Sequence, residues 1–282
     1  MNKTPRKVIY YSQPTDDFAG TNIKTKEIGP GFKYINNNIV WRAAAFALYY
    51  LIGVPFAWAY IRFINATRII NRKAVRGIKG GLFLYGNHTH WSDAILPYIV
   101  AAPKRTYMIA NRDAVSIRGL KTIVMMLGTI PIPSGLKQLG RFVETIKKRC
   151  NEGGCICVYP EATTWPYYTG VRPFSSASFT YPAELRVPVV AMATTFRKRK
   201  GLLSFVRTPA RTVTLSDPIC AGPEMSVREA KEFLHRRVFE FIKDCVERKD
   251  NYEYIRYEKK PDPMPLISIP DKRTQDSGPT AL

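Results

Sequence analysis

The sequence predicts an α/β fold, a mixed, largely parallel sheet with helices on its faces, preceded by an N-terminal apolar helical segment. Short strand patterns alternate with helical patterns between residues 80 and 215. This alternation favours parallel strands joined by helices. Polar loops follow several of these strands, as they do at the sites of α/β proteins. An uncharged apolar run, from Ala43 to Ile61, precedes the alternating region.

Length and charge limit the classes of protein to consider. A chain of 282 residues can bury one substantial core, so we expect one domain with tails. Lys and Arg number 43 against 22 for Asp and Glu, a net charge of +21, which indicates an anionic partner. The sequence has no zinc-finger spacing, no RNP-like aromatic motif and no obvious helix-turn-helix pattern, so we predict no nucleic acid partner. An anionic membrane surface fits better, because basic residues flank the apolar run.

The N-terminal region divides into two parts. Residues 1–39 mix Pro, Gly, Asn and charge and are predicted to form a flexible basic arm. Residues 40–79 hold the apolar run and a basic connector, and we expect them to be membrane-associated. A helix over the uncharged run would reach about the ~30 Å of a bilayer core. Pro55 leaves three alternatives open: a helix that crosses the membrane, one that lies in its interface, and a buried core helix.

The catalytic domain is predicted to cover residues 80–248. Its elements, in chain order, are strand 82–86, helix near 93–101, strand near 105–110, helix near 115–126, strand near 129–132, helix 135–150 capped by Ser134, strands 155–159, 187–193 and 211–215, and a helix that starts at a Ser226–Glu229 capping box. Residues 249–282 are rich in Pro, Tyr and charge and are predicted to be a flexible tail. The five cysteines suit reduced core residues in a cytosolic setting.

The segment 87–93 carries the strongest chemical signal. It places His88 and Asp93 five positions apart, directly after a strand. Histidine is the usual general base at neutral pH, and a carboxylate is its usual orienting partner. A turn into a helix near Trp91 would bring the two side chains within hydrogen-bond reach. A purely structural pair and a metal site that includes His90 are the alternatives. The latter lacks ligands, because the chain has only three histidines and no Cys-x-x-Cys pair.

Three further blocks stand where an α/β site needs them. They are the glycine-led strand 127–132, the strand and loop 158–164 with its single carboxylate Glu161, and the valine-rich strand 187–192. Each block alone is a weak signal, because such strand ends are common.

In this order, the four blocks resemble the conserved blocks of the glycerolipid acyltransferase family, which includes 1-acylglycerol-3-phosphate acyltransferase. His88 with Asp93 matches the family's His-x4-Asp motif fully, and 128–132 matches its second block in part. Tyr159-Pro160-Glu161 resembles the third block, Phe-Pro-Glu-Gly-Thr-Arg, and 187–190 resembles the fourth. The resemblance covers about residues 80–197.

The resemblance implies transfer of a fatty acyl group from an acyl thioester, acyl-CoA or acyl carrier protein, to a hydroxyl of a lysophospholipid, foremost 1-acylglycerol-3-phosphate. His88 would take the hydroxyl proton and Asp93 would orient the ring. The substrate-binding residues that it implies are Asn87, Gly128, Thr129, Pro160, Glu161 and Thr163. No metal and no organic cofactor is implied. The expected location is the cytoplasmic face of a membrane.

The sequence departs from the family's pattern at its basic positions. Arginines of the second and third blocks are thought to hold the acceptor's phosphate, and here those places hold Pro133 or Ser134, Ala162 and Thr164. Arg172 is the predicted replacement, with Lys137 and Arg141 as alternatives. Two other functions stay open at this point: a non-catalytic, basic lipid-surface binding protein on the same fold, and an acyl thioesterase.

Overall fold

A seven-stranded sheet forms the centre of the protein. The computed structural model describes residues 5–20, 23–29, 31–201 and 204–261. Its strands are β1 (Lys7–Tyr11), β2 (Arg68–Ile70), β3 (Leu82–Gly86), β4 (Thr106–Ala110), β5 (Thr129–Pro131), β6 (Cys155–Val158), β7 (Val189–Arg197), β8 (Ala210–Leu215) and β9 (Ile255–Lys259). The central order is β2-β8-β7-β3-β6-β4-β5, and β1 pairs with β9 separately. Only the β7–β8 pair is antiparallel among the described strands, so the predicted mixed, largely parallel sheet is confirmed.

The strand order positions the site. β3 lies between β6 and β7 and runs parallel to both. Parallel strands end at the same edge of a sheet, so the loops after β3 and β6 meet there. Both strands are buried along their whole length, which explains why their sequences are almost continuously apolar.

Helices cover both faces of the sheet. They are α1 (Ile39–Ile64), α2 (Lys73–Arg76), α3 (Leu96–Val100), α4 (Asp113–Ser116), α5 (Lys121–Met126), α6 (Leu139–Asn151), α7 (Thr180–Leu185) and α8 (Val227–Val246), with short 3-10 turns at Trp91–Ala94, Leu136–Gln138 and Ala177–Phe179. One core cluster joins α6 and α8 to the sheet through Ile146, Leu234 and Val238. A second cluster, on the other face, includes Leu84 and Leu96.

Helix α1 packs on the domain along one narrow strip. The strip consists of every fourth residue: Ala45, Tyr49, Gly53, Ala57 and Ile61, of which all but Gly53 are buried. A regular α-helix has 3.6 residues per turn, so a period of four would rotate away from one face. Two π-helical stretches, Leu48–Gly53 and Tyr60–Ile64, supply wider turns that keep the strip aligned. A side chain at Gly53 would come 3.0 Å from Leu127, which explains the glycine at this position of the strip.

The N-terminal arm and the C-terminal tail differ from the prediction of flexible segments. β1 and β9 form a parallel pair in the register Lys7 with Ile255. The indole of Trp165 donates to the carbonyl of Asp16 at 2.7 Å, and its ring stacks on Tyr257. This pairing could not be predicted from local sequence patterns, because the two strands lie near opposite ends of the described chain. The expectation for 262–282 lies outside the described residues.

Two predicted helices also change at their starts. The helix expected near 115–126 is divided into α4 and α5, because Gly119 adopts a left-handed φ of +82° between them. The helix expected over 135–150 begins as a 3-10 turn behind Gly135. Ser134 does not cap it, and its hydroxyl accepts a hydrogen bond from the backbone N–H of Ile28 at 3.0 Å. The capping box at Ser226 and Glu229 is confirmed.

Candidate active site

The loop after β3 brings His88 and Asp93 into direct contact. His88 Nδ1 lies 3.0 Å from Asp93 Oδ2. The backbone N–H groups of Thr89 and His90 donate to the same oxygen at 2.7 and 2.8 Å. His90 is the N-cap of the Trp91–Ala94 turn and Asp93 is its third residue, so the bond from the His90 N–H to Asp93 is one half of a capping box. The other half is formed by the His90 side chain, which accepts from the backbone N–H of Ser92. The local turn therefore fixes the carboxylate against the imidazole.

Arg211 from β8 supplies the charge that keeps Asp93 ionised. Its guanidinium bonds Asp93 Oδ1, and its Nη1 donates to Ser92 Oγ at 2.8 Å. Both members of this ion pair are almost fully buried. Burial would raise the pKa of Asp93, but Arg211 and the His88 hydrogen bond outweigh it and hold the pKa below its usual value.

An ionised carboxylate can only accept hydrogen bonds, so the shared proton belongs to His88 Nδ1. His88 Nε2 is then free to accept a proton from a hydroxyl. The ring of Tyr159 stacks on the imidazole at 4.7 Å, and its hydroxyl donates to the carbonyl of Asp93 at 2.8 Å. The histidine is thus fixed in tautomer and in orientation, the two properties that a general base needs.

His90 has a different environment from His88. Its Nδ1 accepts a hydrogen bond from the backbone N–H of Ser92 at 3.1 Å and lies 2.8 Å from the Ser92 hydroxyl. Burial and the nearby Arg211 lower the pKa of His90 to about 4, so it is neutral at physiological pH. Among the described residues, no group of three or more His, Cys, Asp or Glu side chains is arranged to bind a metal ion.

Glu161 supports the site from the loop after β6. Its Oε2 accepts from the backbone N–H of His88 at 3.1 Å and from Arg172 Nη2 at 2.9 Å. Arg172 also bonds the hydroxyl and the carbonyl of Thr163, and it is only 2% exposed. Burial raises the pKa of Glu161, and Arg172 opposes the rise. The Glu161–Arg172 pair therefore connects the third block to the histidine backbone.

A large apolar cavity of about 960 Å³ opens beside His88. Its lining is mostly aliphatic and aromatic and includes Ile109, Ile117, Val124, Leu127, Ile132, Leu136, Leu139 and Phe142. Asp17 of the N-terminal arm also lines it. A base in the lining of such a cavity suits a reaction on a substrate with a long apolar group.

The stretch of sequence that carries these site residues also matches a known family. The sequence profile of the acyltransferase family matches residues 62–195. Residues 62–195 form an acyltransferase-family domain, as the resemblance predicted. The predicted assignment to the O-acyltransferases is confirmed with it. No curated protein matches the acyltransferase in sequence.

A solved structure supports the fold of the acyltransferase. The fold of this chain resembles the crystal structure of the 1-acyl-sn-glycerophosphate (LPA) acyltransferase PlsC from Thermotoga maritima, with a TM-score of 0.54 over 76% of this chain and 86% of that chain. The two sequences are 16% identical, so the likeness concerns the fold.

The site residues predicted from the sequence fall into two groups in the structure, those that line the cavity and those that lie behind it. His88, Thr129, Pro160 and Thr163 line the cavity. Asn87, Asp93, Gly128, Glu161 and Arg172 lie behind it. Asn87 exchanges two hydrogen bonds with the backbone of Thr194, and Gly128, with φ +103°, lies against the carbonyl of Thr106. Arg172 supports Glu161 and does not reach the cavity, which differs from the phosphate-binding role predicted for it.

Arg211 and Arg112, which lie near the site, were not predicted from the sequence. Arg211 lies 118 residues after Asp93 and outside the matched range of the family. Its only signal in the sequence is a charge within a strand whose neighbours are buried. Arg112 Nη1 donates to the hydroxyl of Ser134, a cavity-lining residue, at 3.0 Å. It follows β4 in a loop with several charges, and nothing in its surroundings distinguishes it from a solvated side chain.

Proposed function

We propose that the acyltransferase moves a fatty acyl group from an acyl thioester, acyl-CoA or acyl carrier protein, to a hydroxyl of a lysophospholipid, with 1-acylglycerol-3-phosphate as the first acceptor to test. The contact between Asp93 and His88, which lines an apolar cavity, is the observation that carries the proposal. The cavity accommodates an acyl chain, and the histidine is placed to activate a hydroxyl.

In this reaction His88 Nε2 takes the proton of the acceptor hydroxyl. The oxygen then attacks the thioester carbonyl, the C–S bond breaks, and the thiolate leaves with the proton that the imidazolium returns. Asp93 stays ionised throughout and stabilises the imidazolium, because Arg211 and two backbone N–H groups hold its charge. No nucleophile from the protein is needed.

No lysine or arginine is among the described residues that line the cavity, so a phosphate contact must come from a cation just behind its wall. Arg112 contacts the cavity wall through Ser134 and, unlike Arg172, forms no ion pair with a described carboxylate. We propose that it binds the phosphate in place of the arginines that the family usually carries.

The function is tested by the release of free thiol from acyl-CoA and from acyl carrier protein in the presence of an acceptor panel. The panel contains lysophosphatidate, glycerol-3-phosphate, neutral monoacylglycerol and an amino-lipid. We expect thiol release that requires lysophosphatidate, together with formation of the acylated lipid. Release without any acceptor would instead identify a thioesterase. No release with any acceptor would favour a non-catalytic lipid-binding protein.

Replacement of Arg112 tests the phosphate contact. A charge-assisted hydrogen bond contributes about 1.5–3 kcal/mol, so Arg112→Ala should raise KM for a phosphorylated acceptor by roughly 10- to 150-fold. KM for the neutral monoacylglycerol and for the thioester should stay unchanged. Arg118→Ala, which removes an exposed arginine of the same region, is the matched control. An equal effect on phosphorylated and neutral acceptors would exclude a phosphate contact by Arg112.

We further propose that α1 holds the acyltransferase in the interface of a membrane, at its cytoplasmic face. The helix is 26 residues long and apolar enough to cross a bilayer by length and composition, a test that core helices of soluble proteins also pass. Its buried strip packs on the domain over most of its length, which favours a helix that lies in the membrane plane. The opposite face exposes large apolar side chains, including Phe46, Leu51, Ile52, Phe56, Phe63 and Ile64.

Polar substitutions on the exposed face of α1 test the membrane proposal. The double variant Leu51→Gln/Phe56→Gln should sediment with vesicles at least tenfold less well, since each side chain contributes about 1.5–3 kcal/mol when buried. Phe205→Gln/Val227→Gln removes two exposed apolar groups elsewhere and is the control. Equal sedimentation of the two double variants would place the membrane surface on another face.

A further inference from the structure

A second cavity lies beside the C-terminal end of α1. Its volume is about 510 Å³. Four arginines line it, Arg62, Arg68, Arg72 and Arg197, together with Trp58, Ile61, Thr67, Ile69 and Ile99. No residue of this set lines the cavity at His88, so the two sites are separate.

The arginines of the second cavity lack acidic partners. No Asp or Glu lines the cavity, and within the described ranges none of the four forms an ion pair. Ordinarily, clustered cations that are partly withdrawn from water pair with carboxylates. Here burial, followed by Arg199, Arg68 and Arg62, lowers the pKa of Arg197. The cluster therefore carries unbalanced positive charge in a concave site.

Buried polar atoms at the cavity are also left without partners. The Nε atoms of Arg72 and Arg197 and the hydroxyl of Thr67 are buried and make no hydrogen bond. The same two arginines are oriented by backbone carbonyls: Arg72 donates to Ile99, and Arg197 Nη2 donates to Ala66 at 2.6 Å. Unsatisfied buried donors are rare and call for an explanation, such as a ligand with several acceptor oxygens. A phosphate group offers such oxygens.

We propose that this cavity binds the phosphate headgroup of an anionic membrane phospholipid, at a site distinct from the acyl-transfer site. The inference rests on the proposed membrane association. Trp58 lines the cavity and is half exposed on α1, next to the apolar face that Phe63 and Ile64 continue. Tryptophan is favoured at membrane interfaces, where its ring lies at the level of the headgroups. A lipid whose chains lie along α1 therefore places its phosphate among the four arginines.

The proposal is tested with the full-length protein and phosphatidylcholine vesicles that contain phosphatidylglycerol. Arg62→Ala/Arg68→Ala removes two exposed arginines of the cavity, whose side chains make no hydrogen bond to another described residue. Lys73→Ala/Arg76→Ala removes the same charge from the neighbouring helix α2, outside the cavity. Two cations near an anionic surface contribute roughly 30-fold to binding wherever they lie. We expect the cavity variant to lose about tenfold more affinity than the control, because it also loses charge-assisted hydrogen bonds.

A second measurement separates a lipid site from a free phosphate site. In detergent, a short-chain phosphatidylglycerol should titrate to saturation with the control variant and show no saturable binding to the cavity variant. Glycerophosphate and inorganic phosphate should bind at least tenfold more weakly than the lipid. Equal losses of vesicle affinity in the two double variants would mean that the arginines act only by diffuse electrostatic attraction. Equal binding of glycerophosphate and of the lipid would mean that the cavity binds a soluble phosphate. Either result overturns the proposal.

Failure of this inference is distinguishable from failure of the proposed function. The cavity variant should keep its acyl transfer in detergent with dispersed substrates, because none of its changed residues contacts the dyad. His88→Ala should show the converse, with normal binding of the short-chain lipid and no acyl transfer. Loss of acyl transfer in the cavity variant under these conditions would mean that the two sites are coupled and would contradict separate sites.

Discussion

His88→Ala is expected to lower the rate of acyl transfer by about 100- to 10,000-fold, the range for loss of a positioned general base. The imidazole lines the apolar cavity, and its Nδ1 is hydrogen-bonded to Asp93. Since alanine leaves the backbone N–H that bonds Glu161, the loop should keep its course. The measurement is kcat for thiol release with saturating acceptor, accompanied by a thermal unfolding curve to establish that the variant is folded.

Two further variants show whether His88 and Asp93 act as one unit. Asp93→Asn should be almost as harmful as His88→Ala, because an amide in that position no longer fixes the imidazole tautomer. The double variant should be scarcely worse than either single one, since groups that act together are non-additive. His90→Ala is the internal control: His90 does not line the cavity, and we expect less than about a tenfold loss. Near-normal turnover in folded His88→Ala would refute base catalysis by this residue.

The parts of the fold that follow local patterns were predictable from the sequence. The strands 82–86 and 155–159 agree with β3 and β6 within a residue, because these buried strands are continuous apolar runs bounded by turns. The strand 211–215 agrees with β8 to the same degree, and its apolar residues alternate with Thr212 and Thr214. The β1–β9 pair and the π-helical turns of α1 were not predictable. A pairing between the two ends of the chain has no local period, and a strip of every fourth residue fits no standard helix pattern.

The site residues likewise divide into those that local sequence predicts and those that depend on distant contacts. The spacing of His88 and Asp93 was sufficient to predict their contact, since both belong to one turn. Glu161 was predicted as a pocket residue, and its support of the His88 backbone requires the adjacency of β3 and β6. From the sequence, Arg172 resembled a phosphate ligand, because its contacts with Glu161 and Thr163 depend on the folded structure. A cation's role depends on which carboxylate lies nearest in space, and the sequence does not give that distance.

Arg211 is the residue whose replacement should cost the most stability. Its guanidinium and the carboxylate of Asp93 are 1% and 0% exposed, so neither charge is solvated without the other. Removal of one partner from a buried ion pair costs about 3–5 kcal/mol, because the remaining charge is uncompensated. Arg211→Met should therefore lower the free energy of unfolding by that amount in a denaturant titration. Arg211→Lys keeps the charge but not the fork that reaches both Asp93 and Ser92, so its loss should be intermediate.

The pH dependence identifies the cause of that loss. In the native protein the pKa of Asp93 is lowered, so its contribution to stability is present above its unfolded pKa and is lost as the pH falls through its folded pKa. Without Arg211, burial dominates and raises the pKa of Asp93. Arg211→Met should then lose stability and kcat at a higher pH than the native protein. KM for the acyl thioester should change little, because Arg211 does not line the cavity.

The double variant Arg211→Met/Asp93→Asn separates an electrostatic role for Arg211 from simple packing. It removes both buried charges, so it should be more stable than Arg211→Met alone while its acyl transfer remains low. If Arg211 acted only by filling space, removal of the carboxylate would regain nothing and the two losses would add. An additive result, or an acid limb of the kcat profile that does not move in Arg211→Met, would exclude Arg211 as the group that keeps Asp93 ionised. A non-additive result, together with a shifted acid limb, would show that Arg211 keeps Asp93 ionised. The orientation of His88 would then depend on β8, a strand that the four sequence blocks do not include.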